Sequence, residues 1–239
     1  MIDHVTIRVS DRAASERFYD TVLPVIGITR NDIEEYAEWG DYSMSDEVSD
    51  EHPLTQRLHI GFRAPSREHV DRFWQAGVDA GYRSDGEPGT REYTKEYYGS
   101  FLLDPDGNSV EAVIHEYERS ASIDHVWMRV ADLDASRRFY ETIAPFTGFT
   151  LSSRRDDRAS FSSGDGSFSV VPGDPTQGVH MAFSADDNAT VEAFHSAATA
   201  AGYRDFGAPG ERPIYHEGYY GAFVLDPDGN NIEVVNHNR

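Results

Sequence analysis

The sequence contains no cysteine, a single lysine and no long hydrophobic run. The absence of cysteine excludes disulfide bonds, thiolate catalysis and cysteine-ligated zinc or iron–sulfur sites. Lys95 is the only lysine, and 21 basic residues face 42 acidic ones, which gives a net charge of −21. This balance disfavours binding to nucleic acid or to anionic membrane lipid, because both need clustered Lys and Arg. No apolar run approaches the roughly 18 residues that span a bilayer.

The first residues of the sequence carry no targeting signal. MIDH, at residues 1–4, starts neither the basic segment nor the apolar core of a secretory signal peptide. We therefore expect a soluble, cytoplasmic protein. The excess of acid and the scarcity of lysine indicate a halophilic, high-salt cytoplasm, because hydrated carboxylates keep a protein soluble there and salt screens their mutual repulsion.

The chain of 239 residues is one unit written twice. Two modules of about 120 residues, 1–117 and 122–239, are predicted, each long enough to bury a core, with a short polar linker near 116–122. Three segments recur at a spacing of 121 or 122 residues: IDHV at 2–5 and 123–126, SERFY at 15–19 and SRRFY at 136–140, and YYGSFLLDPDGN at 97–108 and YYGAFVLDPDGN at 219–230.

Each module is predicted to contain two βαβββ motifs. Val5, Ile7 and Val9 alternate with polar residues, which is typical of a half-buried strand. Asp11 and Ser66 precede helical patterns and are predicted N-caps, and DPDGN predicts a turn before the last strand. We expect an α+β fold of two tandem modules, in which helices cover the outer face of a cupped, mixed sheet.

Alternation along three strands of each module places two histidines and a glutamate on the sheet face away from the helices. Two neutral imidazoles and a carboxylate suit a borderline divalent metal and leave coordination positions for substrate or water. The trio is kept in both modules although neighbours changed, as from Thr6 to Trp127. The candidate ligands are His4, His59 and Glu111 in the first module, and His125, His180 and Glu233 in the second.

These motifs resemble those of the vicinal oxygen chelate superfamily. The resemblance rests on DHV at the start of a strand, RFY on a helix, a histidine strand in mid-module and a closing DPDGN-x-x-E, and it covers nearly all of both modules. The superfamily includes glyoxalase I, bleomycin-resistance proteins, fosfomycin-resistance enzymes and extradiol ring-cleaving dioxygenases. The resemblance implies glyoxalase-like modules and a divalent metal ion, Zn, Ni, Mn, Co or Fe(II), bound by the six candidate ligands.

The grouping of these ligands stays open at this point. In one arrangement each metal is bound within a module, by the three candidates of that module. In the other, half-modules pair across an interface, as they do in family members. The first-strand histidines, His4 and His125, are then exchanged between the two sets. The sequence does not choose between the two arrangements.

Departures from the family patterns bear on the reaction. Glyoxalase I has a fourth ligand, a glutamate, but residues 41–45 (DYSMS) and 167–171 (SFSVV) contain none. Extradiol dioxygenases place a histidine and a tyrosine beside the substrate. His216 lies near that histidine's position, where the first module has Thr94, and a phenylalanine takes the tyrosine's position with Tyr219 nearby. This asymmetry favours the second module as the main active site, with His216 and Tyr219 as catalytic candidates.

Other polar side chains share the ligand-bearing face. Arg129 follows His125 at an even spacing, and its guanidinium is a candidate for gripping an anionic substrate. Pairing with one of the many acidic residues is the alternative role for this arginine. His115 and His237 lie further along the glutamate strands, where a supporting role beside the ligands is an open interpretation.

The function that follows is a divalent-metal-dependent enzyme of this superfamily. We expect a glyoxalase-like lyase or isomerase acting on a small oxygenated substrate that chelates the metal, with His216 or a carboxylate beside the metal as the general base. One alternative is an extradiol dioxygenase that uses Fe(II). Another is a non-catalytic small-molecule-binding or resistance protein. The expected partner is a small molecule, with no nucleic acid and no membrane, and the resemblance also allows a homodimer.

Overall fold

The structure is a computed structural model that describes residues 1–33, 36–117 and 119–239. The predicted linker near 116–122 includes residue 118, which lies outside the described residues. None of the described helices is both long enough and apolar enough to cross a membrane.

The helices begin at the positions that their capping residues indicate. Asp11 accepts a hydrogen bond from the backbone N–H of Ala14 at 3.0 Å, and Ser66 caps the second helix through the N–H of His69, as predicted. The described residues form four α-helices and one short 3-10 helix: α1 Arg12–Val22, followed by the 3-10 helix Leu23–Ile26, α2 Arg67–Asp79, α3 Leu133–Thr147 and α4 Asn188–Ala200.

Strands fill the intervals between the helices in a repeating order. The first half of the chain contributes β1 Ile2–Arg8, β2 Arg30–Ile33, β3 Tyr36–Trp39, β4 Tyr42–Ser45, β5 His59–Arg63, β6 Ser84–Thr90, β7 Tyr98–Leu103 and β8 Ser109–Ile114. The second half contributes β9 Ile123–Val130, β10 Thr150–Arg155, β11 Arg158–Ser162, β12 Ser167–Pro172, β13 His180–Ser184, β14 Asp205–Glu211, β15 Tyr220–Leu225 and β16 Asn231–Asn236. This order is βαβββ four times, as predicted.

The strands belong to two mixed, eight-stranded sheets, so the expected α+β class is confirmed. One sheet has the order β14-β15-β16-β13-β1-β4-β3-β2, and the other has the order β10-β11-β12-β9-β5-β8-β7-β6. Each contains a parallel pair, β13 with β16 and β5 with β8, next to antiparallel hairpins such as β15–β16 and β7–β8. The parallel pairs bring the mid-module histidine strands beside the glutamate strands.

The chain divides into two compact units that differ from the sequence repeats. Unit 1 contains residues 1–5 and 128–239, and unit 2 contains residues 6–127. The boundaries fall inside β1 and β9, so each of these strands passes from one unit into the other. His4 therefore belongs to unit 1 with the second repeat, and His125 belongs to unit 2 with the first repeat.

The cores of the units follow the predicted alternation of apolar residues. Val5, Ile7 and Val9 are each at most 1% exposed, and the inward residues of β5 are equally buried. In unit 2 a side chain at Gly77 of α2 would place its Cβ only 2.3 Å from Leu102 Cδ1 on β7. The glycine therefore lets the helix lie close to the sheet.

The DPDGN turn connects β7 to β8 and also hydrogen-bonds to the residue that precedes β5. Asp104 accepts hydrogen bonds from the backbone N–H groups of Asp106 and Asn108, and Asn108 Oδ1 accepts one from Leu58 N, which precedes β5. Gly107 has a φ of +86°, which a side chain would oppose. The turn thereby fixes the register in which His59 of β5 lies near β8, and the second copy makes the same bonds.

Candidate metal centre

In unit 1 two imidazoles and one carboxylate meet on a single sheet face. His4 comes from β1, His180 from the start of β13 and Glu233 from β16. The two Nε2 atoms are 3.1 Å apart, and Glu233 Oε2 lies 3.0 Å from His180 Nε2 and 3.6 Å from His4 Nε2. Glu233 is fully buried, whereas the His4 side chain is 25% exposed, so the group opens on the His4 side.

Unit 2 contains the matching group. His59 Nε2 lies 3.1 Å from both Glu111 Oε2 and His125 Nε2, and His125 Nε2 lies 3.2 Å from the same carboxylate oxygen. His125 is only 7% exposed in its side chain, whereas His59 is 23% exposed, so this group opens on the His59 side. Of the two arrangements left open by the sequence, the structure shows the one in which the first-strand histidines are exchanged between the repeats.

The donor sets fit a divalent cation. In each unit one ligand atom from each of the three residues converges, all within 4.8 Å of one another. The buried Glu233 Oε2 forms no hydrogen bond with any described residue, although it faces two imidazole nitrogens. Three polar atoms in such contact are satisfied either by a proton that one imidazole donates or by a bound metal ion.

Glycines leave room for the carboxylates. A Cβ at Gly99 would lie 2.3 Å from Glu111 Oε1, and a Cβ at Gly221 would lie 2.4 Å from Glu233 Oε1. Both distances are shorter than a carbon–oxygen contact allows, so any larger residue would displace the glutamate. The glycine of the YYG motif is thereby explained in both copies as space for a ligand side chain.

A tyrosine from the same motif holds the second oxygen of each carboxylate. Tyr97 donates its hydroxyl to Glu111 Oε1, and Tyr219 donates to Glu233 Oε1, both at 2.7 Å. Burial and the adjacent carboxylate raise the pKa of each phenol far above its ordinary value. Each phenol therefore keeps its proton and turns the other carboxylate oxygen, Oε2, towards the histidines.

An aspartate orients each first-strand histidine from the opposite nitrogen. Asp3 Oδ1 lies 2.9 Å from His4 Nδ1, and Asp124 Oδ1 lies 2.8 Å from His125 Nδ1. Burial disfavours the charge of Asp124, but hydrogen bonds from His115 and His125 outweigh it and lower the pKa of the carboxyl well below its usual range. With Nδ1 as the donor to an ionised carboxylate, Nε2 is left as the ligand atom.

Partners behind the aspartates differ between the units. In unit 2, His115 Nε2 lies 2.7 Å from Asp124 Oδ2, and Arg119 adds an ion pair at 3.2 Å. In unit 1, His237 Nε2 lies 3.0 Å from Asp3 Oδ2, and the Nδ1 of this histidine lies 2.8 Å from His216 Nε2. His216 is therefore joined to His4 through two intervening residues.

The electrostatics of unit 2 favour the ionised forms of Glu111 and His125. Burial raises the pKa of Glu111, yet hydrogen bonds from His125 and His59 outweigh it and lower this pKa to about 2. Burial likewise lowers the pKa of His125, but hydrogen bonds to Asp124 and Glu111 raise it to about 9. Without a metal ion, the protonated ring of His125 therefore supplies a positive charge between the carboxylates of Asp124 and Glu111.

The remaining catalytic candidates lie outside the two triads. Tyr219 touches the unit 1 triad through Glu233. His216 contacts His237 and the backbone oxygen of Glu217, and none of the described contacts joins it to the three ligand side chains. Arg129 is exposed on β9, where its backbone N–H donates to Thr176, and the contacts described for it include none with His4, His180 or Glu233.

Asp3 and Asp124 are site residues that the sequence reasoning did not single out. The available signal was the aspartate immediately before histidine in both IDHV segments. From the sequence alone, an aspartate beside a strand histidine does not show that its side chain turns back to the imidazole. His115 and His237 contact these two aspartates, and their supporting role stays a prediction.

Aromatic rings surround the unit 2 triad. The ring of His59 lies 5.8 Å from Phe101 and 6.1 Å from Trp127, measured between centroids. Tyr93 lies 6.0 Å from Trp127 and is 58% exposed. In unit 1, His180 lies 6.1 Å from Phe223, the counterpart of Phe101. In unit 2 an aromatic surface therefore leads from solvent to the triad.

The site defines a class of protein: one with paired motifs that present two histidines and a glutamate from sheet strands. The sequence profile of the Glyoxalase/Bleomycin resistance protein/Dioxygenase superfamily matches residues 1–112 and again residues 122–234. The chain belongs to this superfamily, in agreement with the resemblance found in its motifs. A search among curated proteins found no match.

Solved structures share the fold over the whole chain. Glyoxalase I from Zea mays is 20% identical with a TM-score of 0.71, over 99% of this chain and 92% of that chain. A protein from Bacillus subtilis, described as a candidate dioxygenase, is 14% identical with a TM-score of 0.68, over 100% of this chain and 85% of that one. At these identities the likeness establishes the fold, and the reaction has to be argued from the site.

Proposed function

We propose that the protein is a divalent-metal-dependent enzyme with one metal site in each unit. The proposed reaction is a glyoxalase-like lyase or isomerase step on a small oxygenated substrate. The observation that carries this proposal is the convergence of two Nε2 atoms and one carboxylate oxygen in each unit, at separations of 3.0 to 3.6 Å. His4, His180 and Glu233 would bind one ion, and His59, Glu111 and His125 the other.

The residues of the chain prepare each site before substrate arrives. Tyr219 fixes the Glu233 carboxylate, and Asp3 fixes the imidazole of His4 from behind. Held by packing and hydrogen bonds, these side chains lose little freedom on binding an ion. When bound, the metal supplies Lewis acidity towards two substrate oxygens, because three protein ligands leave coordination positions open.

A proton can be held or moved in unit 1 along a line of hydrogen bonds. His216 Nε2 contacts His237 Nδ1, and His237 Nε2 contacts both oxygens of Asp3. His216 is partly exposed, so it can exchange a proton with solvent at the outer end. We assign His216 this outer position rather than direct contact with substrate. Thr94 stands at the equivalent position in unit 2, and no described side-chain contact joins it to His115, which supports unit 1 as the catalytic one.

Oxidative ring cleavage with Fe(II) is the second candidate. Two histidines and one carboxylate form the ligand set of many non-haem Fe(II) oxygenases. The residues described by the structure give each site three such ligands and no fourth His, Asp or Glu. The aromatic surface of Trp127, Tyr93 and Phe101 in unit 2 would also suit a planar substrate.

Metal analysis of protein purified without oxygen tests both candidates. Zn, Ni, Mn or Co at up to two ions per chain, with no oxygen consumption, supports the lyase or isomerase. Iron together with oxygen uptake on a catechol supports ring cleavage. The matched variants His180→Ala and His59→Ala should each remove one ion. If neither unit binds metal, the enzyme proposal fails and a small-molecule-binding role becomes the better explanation.

A further inference from the structure

Each unit contains an arginine that is immobilised beside its triad. Arg91 follows β6, and its NH2 group donates to the backbone oxygen of Glu87 at 2.7 Å. Arg212 follows β14, and its NH2 group donates to the backbone oxygen of Ala208 at 2.7 Å. The NH1 groups donate to the oxygens of the preceding residues at 3.3 and 3.1 Å. The same fixed geometry therefore occurs twice.

The guanidinium groups lie over aromatic rings that in turn contact the candidate metal ligands. Arg91 Cζ is 5.3 Å from the Phe101 ring, and that ring is 5.8 Å from His59. Arg212 Cζ is 5.6 Å from the Phe223 ring, which is 6.1 Å from His180. Each phenylalanine also pairs across the sheet with the glutamate of its triad. Both arginines thus stand one ring away from a triad.

Glycines keep the space in which each arginine lies. A Cβ at Gly89 would be 2.7 Å from Arg91 NH1, and a Cβ at Gly210 would be 2.9 Å from Arg212 NH1. The segments PGTR and PGER recur at a spacing of 121 residues, with the glycine two positions before the arginine in both. This repeated pattern is the sequence signal that points to these arginines.

Neither arginine has a carboxylate partner among the described residues. This is notable because 42 acidic residues are available for only 21 basic ones. Two of the five guanidinium N–H donors bind backbone oxygens, and the remaining donors form the planar fork that carboxylates recognise. The phenylalanine covers one face of the group, and each arginine remains partly exposed.

We propose that Arg91 and Arg212 bind a carboxylate of the substrate, at the rim of each metal centre. The substrate class is an organic acid that chelates the metal through two other oxygens, with a spacer about the size of one aromatic ring between the two groups. This inference rests on the proposed function, because the chelating end of the substrate needs the metal.

Two probes that differ by one charge and one methyl group test the inference. Zn²⁺-loaded protein is titrated with 3,4-dihydroxybenzoate and with its methyl ester, which is a neutral chelator of almost the same shape. The double variant Arg91→Gln/Arg212→Gln should bind the acid about tenfold to a hundredfold more weakly than wild type. The ester should change by less than about twofold. Arg91→Lys/Arg212→Lys should lie between, because the charge remains without the fork.

A matched control carries the same change in net charge. Arg83 and Arg204 are exposed, occupy equivalent positions in the two repeats and lie outside the site. Arg83→Gln/Arg204→Gln should bind both probes as wild type does. Equal weakening of acid and ester in the Arg91/Arg212 variants would overturn the inference, and so would undiminished binding of the acid. If Zn²⁺-loaded wild-type protein binds neither probe, the inference is overturned, whereas the metal-centre proposal is judged separately by the metal analysis.

Discussion

The histidine from the first strand of each repeat is controlled by the residue before it. Asp124 accepts from His125 Nδ1, and Asp3 does the same for His4. Because the aspartate engages Nδ1, Nε2 is the nitrogen that faces the triad and that a metal ion would bind. The two aspartates are therefore as much a part of each centre as the ligands are.

We predict that Asp124→Asn weakens metal binding in unit 2 by about tenfold to a hundredfold, the usual cost of losing such a partner. The amide keeps the shape of the side chain but removes the charge that faces His125, His115 and Arg119. Competition with a chromogenic chelator measures the affinity. Asp134→Asn is the control, since Asp134 is 66% exposed on α3. Affinity within twofold of wild type would contradict a role in positioning.

The residue that lies against the first-strand histidine differs by one carbon between the two units. A Cβ at Gly61 would lie 2.4 Å from His125 Cε1, but the matching position in unit 1 is Ala182, which is fully buried. His4 and His125 therefore lie differently over their strands. The greater exposure of His4, 25% against 7% for His125, agrees with this difference.

Gly61→Ala should displace the His125 ring and weaken the proposed metal site of unit 2. One strongly bound metal ion per chain would then remain instead of two. We expect a loss of affinity of about tenfold or more in that unit. The reciprocal change, Ala182→Gly, removes a methyl group without pushing a ligand and should keep both sites. Isothermal titration with Zn²⁺ counts the sites. Two unchanged sites in Gly61→Ala would show that the ring has room to adjust.

At the scale of elements, the residue pair between helix and sheet differs in the two units but has the same total size. Gly77 of α2 faces Leu102 of β7, whereas the equivalent positions in unit 1 are Ala198 and Val224. The leucine–glycine pair and the valine–alanine pair each contain four side-chain carbons. The larger strand residue of unit 2 is matched by a smaller helix residue, and the total side-chain volume is kept, as close packing requires.

Gly77→Ala is predicted to destabilise unit 2 by about 1–2 kcal/mol. Overpacking against Leu102 costs about 1–3 kcal/mol, and the better helix propensity of alanine returns up to about 1 kcal/mol. Combining it with Leu102→Val recreates the pair of unit 1 and should recover most of the loss. Chemical unfolding at fixed salt concentration measures all three variants. Additive losses in the double variant would disprove the proposed fit.

Local pattern predicted the elements but left their pairing open. Alternation in β1 and the N-caps Asp11 and Ser66 depend on neighbours in sequence, and these predictions are confirmed. The pairing of β1 with β13 depends on residues far apart in sequence. Because β1 and β9 begin with the same IDHV segment, the sequence allows either strand to pair with β13. Arg91 escaped prediction for a similar reason: a charged residue after a hairpin strand resembles any surface arginine until its carbonyl partners are known.

For the whole molecule, each proposed metal ion would tie together segments distant in the chain. His4 and His180 are 176 residues apart, and the ion would join them within unit 1. A ligand that binds only the folded state stabilises it by about 2.7 kcal/mol at a concentration a hundred times its Kd. We therefore expect Zn²⁺ or Mn²⁺ to raise the melting temperature and EDTA to reverse the rise. The double variant His59→Ala/His180→Ala should show no such rise, and an equal rise in it would point to binding elsewhere.

We expect the net charge of −21 to make the stability of the whole chain depend on salt concentration. Acidic residues outnumber basic ones by two to one, so at least half of the carboxylates cannot pair one-to-one with Lys or Arg, and the excess negative charge is self-repelling. The Debye length is about 3 Å in molar salt and about 8 Å at physiological ionic strength. Repulsion that molar salt suppresses therefore returns as salt is removed.

We predict that the melting temperature falls as KCl is lowered from molar to physiological concentration. Sucrose is the control, because it is excluded from the protein surface as stabilising salts are but screens no charge. If screening is the cause, sucrose at low salt restores only part of the lost stability, and an unchanged melting temperature across KCl concentrations would refute the halophilic interpretation.

The negative charge of the chain also repels an anionic substrate. Salt weakens this long-range repulsion of a carboxylate, whereas it weakens the proposed contact with the partly buried Arg91 less. Molar salt should therefore improve the binding of 3,4-dihydroxybenzoate relative to its methyl ester.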